Sequence, residues 1–547
     1  MKKILMILIL FLFFSSVALI LVKQKKSGKV SGQIKTEKAD PAYGDAIIVG
    51  SIGDASNLLP PLASDSASFD IIGLVYNGIV KYDENLNLTG DLAESWDISR
   101  DCRTVVFHLR KGVRWHDGAE FTAYDVEFGY KTIVNPKTPT AYSSSFEEVK
   151  NVEVTDKHTL KVVYRKPFAP GLSTWSNLVV LPKHLLEGKD ITKSGLFRHP
   201  VGTGPYKFKE WTPGQKIVLE ANPDYFEKGK PYIQRYIYRI IPDQSTMFLE
   251  LRGGNIDETS LTPIQFRRQT DTPYFADNFK KYNYLSFGYT YLGYNLKKEI
   301  FKDKRVRQAI SYGINKKEII DGVLLGLASP ASAPYKPDTW VYNPGIKKYD
   351  YNPVKAKELL QDAGWADTDG DGFMDKNGKK FEFYVTTNQG NDQRLKTAEL
   401  VQRNLGEIGI KMNIKVLEWT AFLDAIDRRN FDAVIIGWSL DPDPDQYDIW
   451  HSSRTGPKEF NFVSYENPEV DRLLEAGRNA CSIDKRKGYY FKLQEILAED
   501  QPYTFLYFPQ SLPIVHSRFY GIKPAPAGIG YNFVDWFVPQ QMQKYYF

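Results

Sequence analysis

The chain has 547 residues, 42% hydrophobic, 14% aromatic and 25% charged, which excludes a disordered protein and predicts two or three domains rather than one core. Its net charge of +5 belongs to one end: residues 1–41 hold eight lysines against Glu37 and Asp40, a local +6 that leaves −1 for all the rest. A near-neutral body with interleaved charges excludes a nucleic-acid binder.

At the amino terminus two lysines precede the uncharged run Ile4–Val22. Residues 1–22 read as a signal peptide or an N-terminal membrane anchor, and 23–41, rich in Lys, Gly and Ser, as a linker. Ser16-Val17-Ala18 offers a small-x-small cleavage site, but Leu19–Val22 stay apolar beyond it, so both outcomes stay open. Lysines after the run outnumber those before it, and charge bias alone gives no orientation. The large body behind a lysine-led apolar segment argues for export, to the periplasm or the outer face of the cytoplasmic membrane. No cysteine lies nearby, so the protein is not expected to be a lipoprotein.

Short apolar strands broken by Gly, Pro and Asp begin at "DAIIVGSIGDASNLLPPL". "TVVFHLRKGVRWHDG" alternates with period two and then turns, a hairpin signal. "TAYDVEFGYKTIV" is a predicted helix with Thr122 as N-cap and Asp125 in its first turn. A second hairpin turns near Asp156-Lys157, and two strands flank Pro213-Gly214. Near residue 290 amphipathic helices take over, in "DKRVRQAISYGINKKEII", "NPVKAKELLQDAG" and "QRLKTAELVQRNLGEIGI". "KMNIKVLEWTAFLDAIDRRNFDAVIIGW" then reads strand, helix, strand, an α/β rhythm with a partly parallel sheet. "YTFLYFPQSLPIVHSRFYGI" returns to strand.

"GDLAESWDISRDCRTVVFHLRKGVRWHDGAEFTAYDVEF", "NPDYFEKGKPYI", "FKDKRVRQAISYGINKKEII", "YNPVKAKELLQDAGW" and "GWSLDPDPDQYDIWHSS", in this order, resemble the family 5 extracellular solute-binding proteins, the dipeptide-, oligopeptide- and nickel-binding components of ABC importers. The resemblance implies an α/β fold of the two-lobed, type II, Venus-flytrap kind with an inserted domain, three lobes in all. Lobe I would take 42–85, 199–288 and 512–547, lobe II 86–198, and lobe III 289–511. It also implies a non-enzymatic receptor, expected as a monomer, that captures dipeptides or oligopeptides and docks on permease subunits whose ATPases are separate chains. Neither "VGTGPY" nor "LRGGN" ends as a phosphate loop does, in keeping with a separate ATPase.

Of the binding residues, Asp441 in Gly-Trp-x-x-Asp matches the acid that pairs with a peptide's α-ammonium, and a carboxylate in a closed, water-poor cleft attracts a cation strongly. A loop-capping Asp beside a core Trp is the alternative. Gly437 and Ser439 would offer backbone groups to an extended peptide next to Trp438. Trp419 and Tyr142 match pocket aromatics of the family; Tyr507 and, by a loose alignment, Arg394 complete the candidates. Ile435 stands where some relatives carry a carboxylate-binding arginine, which leaves ligand length open. Asp443 and Asp445, held apart by prolines, are expected to cap turns or the next helix.

"DTDGDGFMD" has calcium-loop spacing: Asp367, Asp369, Asp371, the Phe373 carbonyl and Asp375 fall at ligand positions, but Gly378 replaces the bidentate Glu. A structural calcium and a metal-free acidic turn both fit; no cofactor is required. Seven scattered histidines make no zinc site. Cys102 and Cys481 are expected as free, buried thiols, with pairing an option for an exported protein. Two other readings stand beside peptide capture: the same receptor role for an oligosaccharide or a nickel or other metal chelate, and a secreted hydrolase using Asp441 and Asp445.

Overall fold

The alternating and apolar runs of the sequence resolve into three main sheets, each the centre of one lobe, with two small two-stranded sheets besides among the described residues. A computed structural model describes residues 40–176 and 180–546. The apolar run of 1–22 and most of the linker lie outside the described residues. Pro41 onward forms one compact unit, and no helix among the described residues is long and apolar enough to cross a membrane.

The first sheet has seven strands in the order Phe279–Lys281, Pro513–His516, Glu258–Ser260, Gly44–Ser51, Ile233–Ile240, Lys216–Ala221 and Tyr206–Thr212. Gly44–Ser51 runs parallel to both of its neighbours, and the other pairs are antiparallel. Ile47, Tyr206, Ile217, Leu219 and Tyr238 build its core against the helix Ser66–Val75, which Asp65 caps through the Ser68 N–H at 2.9 Å. The chain's end returns to this lobe. Gln543 donates to the Tyr43 carbonyl, the Lys544 and Tyr545 N–H groups donate to Asp45, and buried Arg518 pairs with Asp45 and Asp257.

Four antiparallel strands, Ala93–Ile98, Thr104–Leu109, Thr159–Tyr164 and Val149–Asp156, make the second sheet. The hairpin at Asp156-Lys157 forms, whereas the run after Leu109 does not fold back on its own strand. Thr104–Leu109 pairs instead with the strands before it and fifty residues after it. Alternation fixes that it is a strand and which face is buried; it carries no information about partners. The helix Ala123–Ile133 starts where expected, with Asp125 accepting the Thr122 N–H at 2.8 Å.

The third sheet orders Tyr284–Leu285, Tyr503–Ser511, Gly288–Tyr294, Ala433–Ser439, Glu382–Asn388 and Lys411–Leu417, with Ala328–Pro330 added beside Tyr503–Ser511. Its last three strands are parallel, as the strand–helix–strand rhythm predicts, and the crossover helix Trp419–Asp427 carries the chain past Glu382–Asn388. Helices Lys304–Gly313, Pro353–Asp362 and Asp392–Glu407 cover one face, and Pro468–Arg478 and Ile483–Asp500 the other, giving two cores. Two stretches of chain cross between the first and third lobes and pair there, Tyr284 with Ser511 and Leu285 with Gln510. The second lobe is joined covalently only to the first.

Candidate functional site

The strand Ala433–Ser439 is apolar to Ile436 because it is the middle of a covered sheet, and it emerges at Gly437 into the space between lobes. On one side it pairs along its whole length with Gly288–Tyr294, Gly437 facing Thr290 and Ser439 facing Gly288. On the other side the ladder to Glu382–Asn388 stops at Val434, and the Thr387 hydroxyl donates to the Ile435 carbonyl at 3.0 Å. Residues 436–439 therefore present a backbone edge with no strand partner among the described residues. A Cβ on Gly437 would lie 3.0 Å from the Tyr289 carbonyl oxygen and 3.3 Å from an Arg394 guanidinium nitrogen, so glycine is what lets the guanidinium lie against the strand.

Beyond this edge the three aspartates separate in fate. Asp443 is bidentate to Arg486 at 2.8 and 3.1 Å, and Asp445 binds Arg478 at 2.8 and 3.0 Å. Both also cap turns as expected, Asp443 accepting the Asp445 N–H and Asp445 the Tyr447 N–H. The arginine partners escaped the sequence reading, since nothing local marks residues 478 and 486 as their mates. Asp441 has neither a hydrogen bond nor an ion pair among the described residues. Its side chain is exposed, yet the surrounding protein is dense enough to raise its pKa, the combination of a carboxylate that faces a cleft. Phe287, Tyr335, Lys336, Pro444 and Phe508 line the space with it. Burial and then the neighbouring Asp443 charge raise its pKa above the ordinary value.

Tyr142 and Asp441 are brought together. The Tyr142 hydroxyl donates to the Ala63 carbonyl at 3.0 Å, its ring meets Phe460 edge-on at 5.5 Å, and burial followed by the Asp441 charge raises its pKa. Tyr82, which the sequence did not mark, is also near this loop, its pKa raised by burial and then by the Asp441 and Asp443 charges. Trp438 packs against Phe460 and Phe462 and donates to the Tyr503 hydroxyl at 3.3 Å, leaving part of its ring in the crevice. Trp419 opens the crossover helix and reaches the first lobe, its ring 3.5 Å from where a Gly53 Cβ would be, with a buried indole N–H that has no partner. Arg394 donates to Asn388 at 2.8 Å and makes no ion pair among the described residues; desolvation lowers its pKa.

Tyr507 is a correction. It is only 2% exposed in the core of the third lobe, with its hydroxyl near Thr397, and has no surface to offer a ligand directly. Of the calcium set, three carboxylates converge and Asp375 does not. Carboxylate oxygens of Asp367, Asp369 and Asp371 lie within 4.8 Å of one another, but Asp375 turns inward to accept the Thr368 N–H and hydroxyl at 2.8 and 2.7 Å. The Phe373 N–H donates to Asp371, and Lys380 pairs with Asp371 and Asp369, supplying a positive charge at the loop.

Across the mouth, lobes two and three touch. Ser144 donates to Asp448, Arg454 pairs with Glu147, and Arg478 donates to the Ser144 carbonyl at 3.1 Å. Burial raises Asp448 to about 6 against the pull of Arg478. On the first lobe's side, Asp70 and Glu258 have no ion-pair partner among the described residues and are raised to about 7 and about 8, chiefly by desolvation. A separate groove of about 660 Å³ runs between Tyr130–Val149 and Gly456–Glu459, and none of the predicted residues lines it.

Residues 87–460 match the family described as bacterial extracellular solute-binding proteins, family 5, middle. The oligopeptide-binding protein AppA of Bacillus subtilis is 38% identical over 528 residues, 94% of this chain and 95% of that one. The structure of AppA from Bacillus subtilis in complex with a nonapeptide superimposes with a TM-score of 0.87 at 36% identity, covering 91% of this chain and all of the other. NikZ from Campylobacter jejuni in complex with Ni(L-His) gives a TM-score of 0.83 at 30% identity, covering 90% and 99%. With its three lobes, its mixed α/β topology and this match, the chain belongs to the family 5 bacterial extracellular solute-binding proteins.

Proposed function

We infer that this protein is the peptide-capturing receptor of an ABC importer. The observation that carries the reading is the unpartnered strand edge at 436–439 ending beside Asp441, a carboxylate that makes no ion pair among the described residues. An extended peptide satisfies both at once: its backbone extends the sheet, and its α-ammonium neutralises the acid. Arg394, a guanidinium without an acidic partner beside Gly437, suits a carboxylate of the same ligand. Trp438, Trp419 and Tyr142 supply apolar walls, and the similarity to a protein solved with a nonapeptide supports an oligopeptide over a shorter ligand.

The lobes are taken as 42–85, 199–288 and 512–547 for the first, 86–198 for the second and 289–511 for the third. The paired crossings at Tyr284–Ser511 act as the hinge, and the receptor works as a monomer outside the cytoplasmic membrane, handing its cargo to permease subunits. No cofactor is required, and Lys380 takes the place of a cation at the acidic loop.

Isothermal titration with matched peptides bearing free or acetylated N-termini tests this. The wild type should prefer the free amine, and Asp441→Asn should lose that preference. Equal binding of both peptides by both proteins would remove Asp441 from the site. Native mass spectrometry of the co-purifying ligand separates a peptide from a sugar or a metal chelate.

A further inference from the structure

The chain has two cysteines, one in the second lobe and one in the third, both free. Cys102 ends a tight turn in the second lobe, its N–H bonded to the Ser99 carbonyl at 2.9 Å and its backbone in the left-handed region at φ 52°. Its carbonyl accepts the Phe168 N–H at 3.2 Å, and the Phe168 ring lies 5.8 Å from the Arg478 guanidinium of the third lobe. Arg478 ends the helix Pro468–Arg478, and Cys481 follows three residues on. The Cys102 thiol is near enough to Cys481 to raise its pKa, and Asp101 and Arg486 act on Cys481 as well. The expectation of buried thiols fails here: Cys481 is exposed and Cys102 half-buried, so small oxidants reach both. No covalent link otherwise joins these two lobes on the side away from the hinge.

We propose that Cys102 and Cys481 are an oxidative modification site, a clasp whose disulfide fastens the second lobe to the third and holds the cleft shut over its cargo. The cargo part rests on the peptide-receptor reading. The oxidant is a disulfide, RSSR, of the glutathione or oxidoreductase class. One cysteine, as thiolate, attacks a sulfur of RSSR, releasing RS⁻ and leaving a mixed disulfide; the second then displaces the remaining RS⁻. One protein S–S bond forms, two electrons pass to the oxidant, and the two cysteine protons leave on two RSH. Burial and the neighbouring thiol push Cys481 up to about 12, which keeps it protonated at neutral pH and makes the uncatalysed reaction slow.

The test uses the full chain, oxidised glutathione and a nonapeptide carrying fluorescein on a lysine side chain. Non-reducing digestion with mass spectrometry should find Cys102 joined to Cys481 within one molecule. Oxidation should slow release of the labelled nonapeptide at least tenfold, dithiothreitol should restore it, and Cys102→Ser and Cys481→Ser should each release at the reduced rate throughout. Only glutathione adducts or intermolecular dimers would overturn the clasp, as would a cross-linked protein that releases peptide within twofold of the reduced rate. A chain that takes up no peptide fails the receptor reading instead, and the cross-link, scored without ligand, still decides the pairing.

Discussion

Two loops of this molecule are runs of aspartate at alternate positions, Asp367–Asp375 and Asp441–Asp445, and they have opposite characters. The first lies on the surface, where its carboxylates accept backbone N–H groups of their own turn and meet one lysine. The second lies between lobes, where two acids are consumed by buried arginines and the third is left alone. Alternating acids by themselves specify neither outcome. What distinguishes a binding carboxylate is a place beside a free strand edge together with the lack of an ion pair, and both are properties of the tertiary structure.

Asp443→Ala should do the greatest damage, because it strands the guanidinium of Arg486 in a site where only 8% of that side chain is exposed. Breaking a buried pair on one side costs about 3–5 kcal/mol, and the fall in stability is read by chemical denaturation. Asp441→Asn, two residues away, should leave stability intact and weaken peptide binding by about 1.5–3 kcal/mol, the scale of a charged hydrogen bond. If both variants lost stability equally, the contrast between paired and unpaired acids would fail.

A pH titration sharpens the same contrast. Asp441 binds a cation only as carboxylate, so affinity for free-amine peptides should decline as pH falls through its raised pKa and stay flat in Asp441→Asn. Asp70 and Glu258 act in the other direction on the fold. Their pKa values are raised, so the stability they give is full at low pH and is lost as pH rises through about 7 and about 8. Melting temperature should therefore drop between pH 5.5 and 8.5, and Asp70→Asn should flatten the drop. The smallest effects belong to the surface loop: Asp369→Asn should change stability by less than about 0.5 kcal/mol. Chelation with EDTA should leave the melting temperature unmoved, and a fall on chelation would show a bound cation after all.

Periodicity read the third lobe well, because a strand–helix–strand unit such as 411–439 is a local pattern closed by short connections. It read Thr104–Leu109 as a strand of a hairpin without naming its partners, since pairing with Thr159–Tyr164 depends on what the rest of the sheet offers. At the site, Asp441, Gly437, Trp438 and Tyr142 were marked by family resemblance; the structure sets Tyr142 near Asp441, and Tyr142 and Trp438 both against Phe460. Tyr82, Arg478 and Arg486 were not, because a lone tyrosine near a turn and two arginines on amphipathic helices look like any others. Tyr507 was over-read for the complementary reason: an aromatic in a strand has the same signature whether it faces a cleft or a core.

The C-terminal tail is stapled to the first strand through Asp45, Tyr43 and Gln543. Tension applied at either end of the body is then borne by the first lobe alone, shunted through that staple before it reaches the crossings at Tyr284 and Ser511. The two outer jaws lie off the load path, so a protein tugged by its attachment would keep its bite.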